Sequence, residues 1–169
     1  MRFVKVGVAA ATVVLLLSVA LLGAGTFVIR VHLINSKTGE PMPRKQVEVV
    51  RVLPPRAAAP GTISAQPYQW RQKTDTEGVT VFHLPGPPTG MGLHIYMAGG
   101  GNLWLQCSNP GFWAQEIVDR GVVPRLRCPP WTHVQPLHFH AQPGDVYIFA
   151  VHISFWQHLR HCGVPGGCS

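Results

Sequence analysis

Acidic residues are scarce in this 169-residue chain: seven Asp and Glu stand against 14 Lys and Arg, and charged residues of both signs make up only 12%. Glu40, Glu48, Asp75, Glu77, Glu116, Asp119 and Asp145 fall mostly in turns, so the facing carboxylates of glycosidase chemistry are not expected. No Gly-x-Ser-x-Gly elbow, phosphate loop or His-Glu-x-x-His helix occurs. The net charge of +7 is spread singly or in pairs with no run of five basic residues, which excludes the dense patch a nucleic-acid partner needs. Charge this sparse also argues against long solvent-facing helices.

Glycine and proline are plentiful instead, 18 and 16 residues in a chain that is 46% hydrophobic. That balance favours short strands punctuated by turns, and the length suits one domain with a single core. The first residues set the compartment. Arg2 and Lys5 precede an apolar stretch from Val6 to Leu22 interrupted only by Thr12 and Ser18, and Gly23, Ala24 and Gly25 follow. About 20 apolar residues match the hydrocarbon thickness of a bilayer, and a basic flank stays cytoplasmic, so the remainder is expected outside the cytoplasm. Residues 1–25 read equally as a cleaved signal peptide and as a retained single-pass anchor forming an N-terminal apolar helix, and the membrane is a partner in the second case. Without a cysteine after the apolar run, the usual lipid-anchoring box is missing.

Four cysteines, Cys107, Cys128, Cys162 and Cys168, suit an oxidising compartment, where disulfides are the default over zinc. The expected bridges join Cys107 to Cys128 and Cys162 to Cys168, the first contributing roughly 3 kcal/mol through loop closure.

From Phe27 the chain alternates, with Phe27, Ile29, Val31 and Leu33 on one face, giving the period of two of a first strand. A Gly39/Pro41/Pro43 turn leads to a second strand over 46–53, with Val47 and Val49 on one face and Val50 and Val52 on the other. The Pro/Ala-rich stretch 54–67 reads as a mobile loop. Further strands are expected over 68–74, 79–84, 93–98, 103–108, 137–140 and 146–153. The segment 113–118 reads as a short strand or a single helical turn, and 155–161 as a short C-terminal helix. This is the pattern of an all-β Greek-key sandwich of about seven strands spanning 26–154, followed by a tail over 155–169.

The block Ser36-Lys37-Thr38-Gly39-Glu40-Pro41 before Val47-Glu48-Val49, with Thr74-Asp75-Thr76-Glu77-Gly78 before Val79-Thr80-Val81-Phe82, resembles the carboxypeptidase regulatory-like domain, from Phe27 to about Met97. The resemblance implies a transthyretin- or prealbumin-like sandwich and a non-catalytic module for folding, adhesion, anchoring or carbohydrate contact, with no catalytic residue. The ending, with Pro143-Gly144-Asp145-Val146-Tyr147 and Ser154-Phe155-Trp156, is similar to that of uncharacterised bacterial exported proteins.

Two features carry candidate chemistry. His138-Phe139-His140 would place two imidazoles on one strand face and so offers a metal pair; intradiol dioxygenases hold iron with a similar pair plus two tyrosines. His158 and His161, three apart, offer a second. Of five tryptophans, Trp113 and Trp131 have Gly, Pro and Cys neighbours that put them on loops, where an exposed ring can contact a ligand. The reading is an exported, non-catalytic structural or protein-interaction module at the cell envelope, needing no cofactor and meeting an envelope protein or glycan. The alternatives are a carbohydrate-binding module using exposed Trp and a metal-dependent enzyme built on the His-x-His pair.

Overall fold

In the computed structural model the described residues are 25–52, 68–98, 104–132, 134 and 137–162. Eight strands form two four-stranded sheets packed face to face. They are β1 (Thr26–Asn35), β2 (Gln46–Val52), β3 (Gln69–Lys73), β4 (Val79–Pro85), β5 (Gly92–Ala98), β6 (Trp104–Gln106), β7 (Gly111–Trp113) and β8 (Asp145–His152). Helix α1 (Ala114–Arg120) follows β7 directly, and α2 (Phe155–Cys162) follows β8. The sandwich expected from the sequence is therefore present.

The first sheet has the order β4-β1-β8-β6 and the second β3-β2-β5-β7. Alternation fixes which faces meet: Ile29, Val31 and Leu33 of β1, Val47 and Val49 of β2, and Leu93 and Ile95 of β5 all point into the space between the sheets and are buried. Antiparallel pairing joins β1 to β4, while β1 and β8 run parallel, with Arg30 opposite Asp145 and Asn35 opposite Ala150.

Turn chemistry sets the ends. Asp75 Oδ1 accepts from the backbone N–H groups of Glu77 and Val79, both at 2.9 Å. The turn needs glycine at Gly78, where φ is 70° and a Cβ would come within 2.8 Å of Met42 N and Pro41 Cβ.

A second layer lies outside the first sheet. Residues after Gly121 run back across it, with Val122 bridging to Val146 in parallel, and Leu126, Trp131, Leu137 and Phe139 pack on Ile34, Phe149 and Val151. β8 and the end of β1 are thus covered on both faces, and β8 has only one exposed residue, His152, while Val28 of β1 and Val81 of β4 stay exposed on the outer face. The Cys107–Cys128 disulfide staples this layer, and Arg127 N donates to Cys107 O at 2.6 Å beside it.

Three sequence expectations change here. Leu137–His140 joins no strand, because Phe139 packs its ring on Tyr147 and Phe149 as part of the outer layer instead of entering a ladder. Over 113–118 both readings hold in succession, since β7 ends at Trp113 and α1 begins at Ala114. Of the strand expected over 103–108, Trp104–Gln106 forms; Cys107 still donates its N–H to Phe149 O at 2.7 Å, the chain bends at Ser108, and Leu103 lies outside the described residues. The N-terminal apolar segment before Gly25, the loop 54–67 and the Cys162–Cys168 pairing lie outside the described residues. No helix among the described residues is long and apolar enough to cross a membrane.

Candidate functional site

The outer face of the second sheet carries a four-cornered array at its β5–β7 edge. Gly92 pairs with Trp113 and His94 with Gly111, all four facing outward. Two corners are bare backbone and the other two hold an imidazole and an indole, which leaves a trough of about 240 Å³ walled by Val52, His94 and Trp113. Trp113 is 61% exposed, so its indole is open to contact from solvent.

A second cleft of about 230 Å³ shares Gly111, Phe112 and Trp113 with the first and is lined also by Asn109, Glu116, Arg125 and Arg127. Trp113 thus borders both depressions. It holds this place because Phe112, its neighbour, is buried in the core while α1 starts at the next residue, so the chain cannot swing. Among the described residues Arg125 and Arg127 form no ion pair, whereas Glu116 is bonded to Arg120 one helical turn on. Asn109 Oδ1 accepts from Gly111 N at 3.0 Å and fixes the entry to β7.

Further along that sheet face Glu48 is 6% exposed although it points outward, because Gln69 and Arg71 from β3 and Tyr96 from β5 close over it. Arg71 Nε lies 2.7 Å from Glu48 Oε2. Burial raises the Tyr96 hydroxyl above the ordinary phenol range, and the Glu48 charge adds to this, so Tyr96 stays a neutral donor.

The other buried carboxylate, Asp145, is structural. Its Oδ1 takes the Arg30 Nε at 2.6 Å and its Oδ2 the Gln142 amide at 3.0 Å. His32 Nε2 stands 3.2 Å from the same Oδ1, within ion-pair distance but off the hydrogen-bond line, with its ring stacked on Tyr147. Burial alone would raise the Asp145 carboxyl; Arg30, the Gln142 N–H and His32 outweigh it and hold the group below its ordinary value. A folded-state pKa below the unfolded one stabilises fully above about pH 4 and is lost as pH falls through the folded value. Asp145→Asn is therefore expected to cost about 1–3 kcal/mol at neutral pH. That cost should shrink towards zero in acid, when urea midpoints of the two proteins are compared between pH 7 and pH 2.

The remaining sequence candidates fall elsewhere. His138 and His140 are both exposed on chain that joins no strand, alternating with the half-buried Leu137 and Phe139. No three His, Cys, Asp or Glu among the described residues converge as metal ligands. Trp131, instead of standing free on its loop, is half-buried and stacks on His161 of α2 with ring centroids 4.5 Å apart. The side chains of His158 and Cys162 lie outside the described residues, as does Cys168. Helix α2 shows Phe155, Trp156 and Leu159 to solvent, at the sandwich end reached by Asn35, while Trp113 lies at the opposite end with Thr26. His94, Arg125 and Arg127 escaped sequence reading, because only pairing with β7 and the disulfide bring them beside Trp113.

No protein-family model matches this sequence, and comparison with curated proteins finds no match. Among solved structures, the crystal structure of shaft pilin spaA from Lactobacillus rhamnosus GG is similar, with 11% identity and a TM-score of 0.44 over 77% of this chain and 49% of that one. The chain thus spans about half the length of that pilin, and a likeness at this level assigns no role. The two packed sheets themselves define the chain as an all-β sandwich with a disulfide-stapled outer layer.

Proposed function

We propose that this chain is an exported, non-catalytic β-sandwich module that acts by contact at the cell envelope. The observation that carries the reading is Trp113, exposed on a short edge strand and shared by two clefts on a rigid sheet. Export is supported by the apolar stretch Val6 to Leu22 and by the closed Cys107–Cys128 bridge, which persists in oxidising compartments. A module of this kind resembles the carboxypeptidase regulatory-like domain in the turn chemistry of Ser36–Pro41 and Thr74–Gly78.

A photo-crosslinking residue at position 113, expressed in the source cells, is expected to give a defined envelope adduct. The same residue at Val81, 39% exposed on the outer face of the other sheet, should give none. Equal labelling at both positions, or none at 113, would remove the reading. Carbohydrate contact is favoured as the form of this binding by the bare Gly92 and Gly111 corners, which open the face of the indole to a flat ring.

A further inference from the structure

We infer that the two clefts flanking Trp113 form one continuous binding site for an acidic oligosaccharide, a sugar chain carrying carboxylates. The inference rests on the contact reading above and names the ligand class. The trough over Gly92 and Gly111 is shallow and smaller than the roughly 300 Å³ at which sites for drug-sized ligands begin, so it suits one sugar ring lying against the indole. His94 at the far corner offers a ring nitrogen to a hydroxyl, in the polar-groups-around-an-aromatic arrangement that fixes orientation.

The second cleft, which shares Trp113 with the trough, adds positive charge. Arg125 and Arg127 line the second cleft, both exposed, and their planar forks match carboxylates in a two-pronged fashion. The single acidic group there, Glu116, is already satisfied by Arg120. Arg127 is not free to wander: its backbone N–H is bonded to Cys107 O, and Cys128 beside it is bridged to Cys107. A chain of net charge +7 with seven acidic residues presents no strong competing field.

An acidic peptide added as a strand is the rival occupant, and the edge argues against it. With three residues before α1 turns away, β7 is too short for a useful ladder of main-chain bonds. A sugar chain needs none, because it takes its hold from ring stacking on Trp113 and from the two guanidinium groups.

The test uses the full oxidised chain and tryptophan fluorescence, titrated with tri-galacturonate, with neutral galactotriose, and with an oligoglutamate of equal charge. Tri-galacturonate should quench saturably and bind about tenfold or more tightly than galactotriose at low salt, the difference closing as salt rises. Trp113→Ala should abolish the response to both sugars and Trp113→Phe should retain most of it, with unchanged circular dichroism in each. The double variant Arg125→Gln, Arg127→Gln should bring the acidic sugar down to the affinity of the neutral one. Equal affinity for the two sugars in the unaltered chain, or no quenching by either, overturns the inference. Competition by oligoglutamate as effective as tri-galacturonate also overturns it, in favour of an acidic peptide. A crosslink at 113 together with failure of every sugar would retire the ligand and leave the contact function standing.

Discussion

Gly121→Ala is expected to lower the unfolding free energy by about 2–5 kcal/mol, a large share of the stability of an ordinary domain. Gly121 ends α1 with φ of 71° and ψ of 165°, a combination open essentially to glycine alone and costing other residues about 1–3 kcal/mol. A methyl group there would also overlap the Gln142 carbonyl and come within 2.7 Å of Ala141 Cβ. Relief would require the 141–145 turn to move, yet Gly144 N is tied to Ile117 O at 2.7 Å and Asp145 is tied to Arg30. Crowding of this kind adds about 1–3 kcal/mol. Gly90→Ala supplies the comparison: Gly90 also has positive φ, 69°, but nothing stands within 4 Å of an added Cβ, so only about 1–2 kcal/mol of backbone strain is expected. Urea unfolding of both variants measures the difference. Equal losses would show that the 141–142 backbone yields freely and that the close approach to Gly121 is not a constraint.

Removing the Cys107–Cys128 bridge by the double alanine variant is expected to cost about 3 kcal/mol, the loop-closure value for a separation of 21 residues. The loss should be uneven. The outer layer is held to the first sheet by few backbone bonds, chiefly Arg127 to Cys107, Val122 to Asp145 and Tyr147 to Val122, so it depends on the staple more than the sandwich does. Hydrogen exchange of the variant should therefore show protection lost first at Val122–Thr132, with amides of β1 and β2 exchanging only by global opening. Uniform loss across the chain would mean that the outer layer and the sandwich unfold as one unit. Because Arg127 sits beside the bridge, the same variant should also blur the positive cleft beside Trp113.

Much of the sandwich was legible because its signals are local. The alternation Phe27, Ile29, Val31, Leu33 needs only neighbouring residues to declare a half-buried strand, and Asp75 with Gly78 declares a turn by side-chain length and backbone freedom alone. The C-terminal helix over Phe155–Cys162 and the Cys107–Cys128 pairing were legible in the same way, the second from compartment and spacing. The outer layer was not. Leu137 and Phe139 show the same spacing whether they enter a strand or cap a sheet, and the choice depends on Tyr147 and Phe149 waiting beneath them. The unbroken apolar run of β8 did hold a hint, since a strand covered on both faces needs no polar alternation.

The candidate site divides along the same line. Sequence singled out Trp113 together with Trp131 by their Gly, Pro and Cys neighbours, of which Trp113 is the exposed one, and it set the charge balance that makes an acidic ligand fitting. The period of each inward-facing strand and the turn positions were also set by sequence, since both follow from the chemistry of a few adjacent residues. Tertiary structure alone decided that Gly92 lies opposite Trp113, that β1 and β8 run parallel, and that Arg125 and Arg127 line a cleft together with Trp113. Those are relations between residues up to more than a hundred positions apart. They are settled by which apolar faces meet and by where the disulfide closes, and no local rule encodes them.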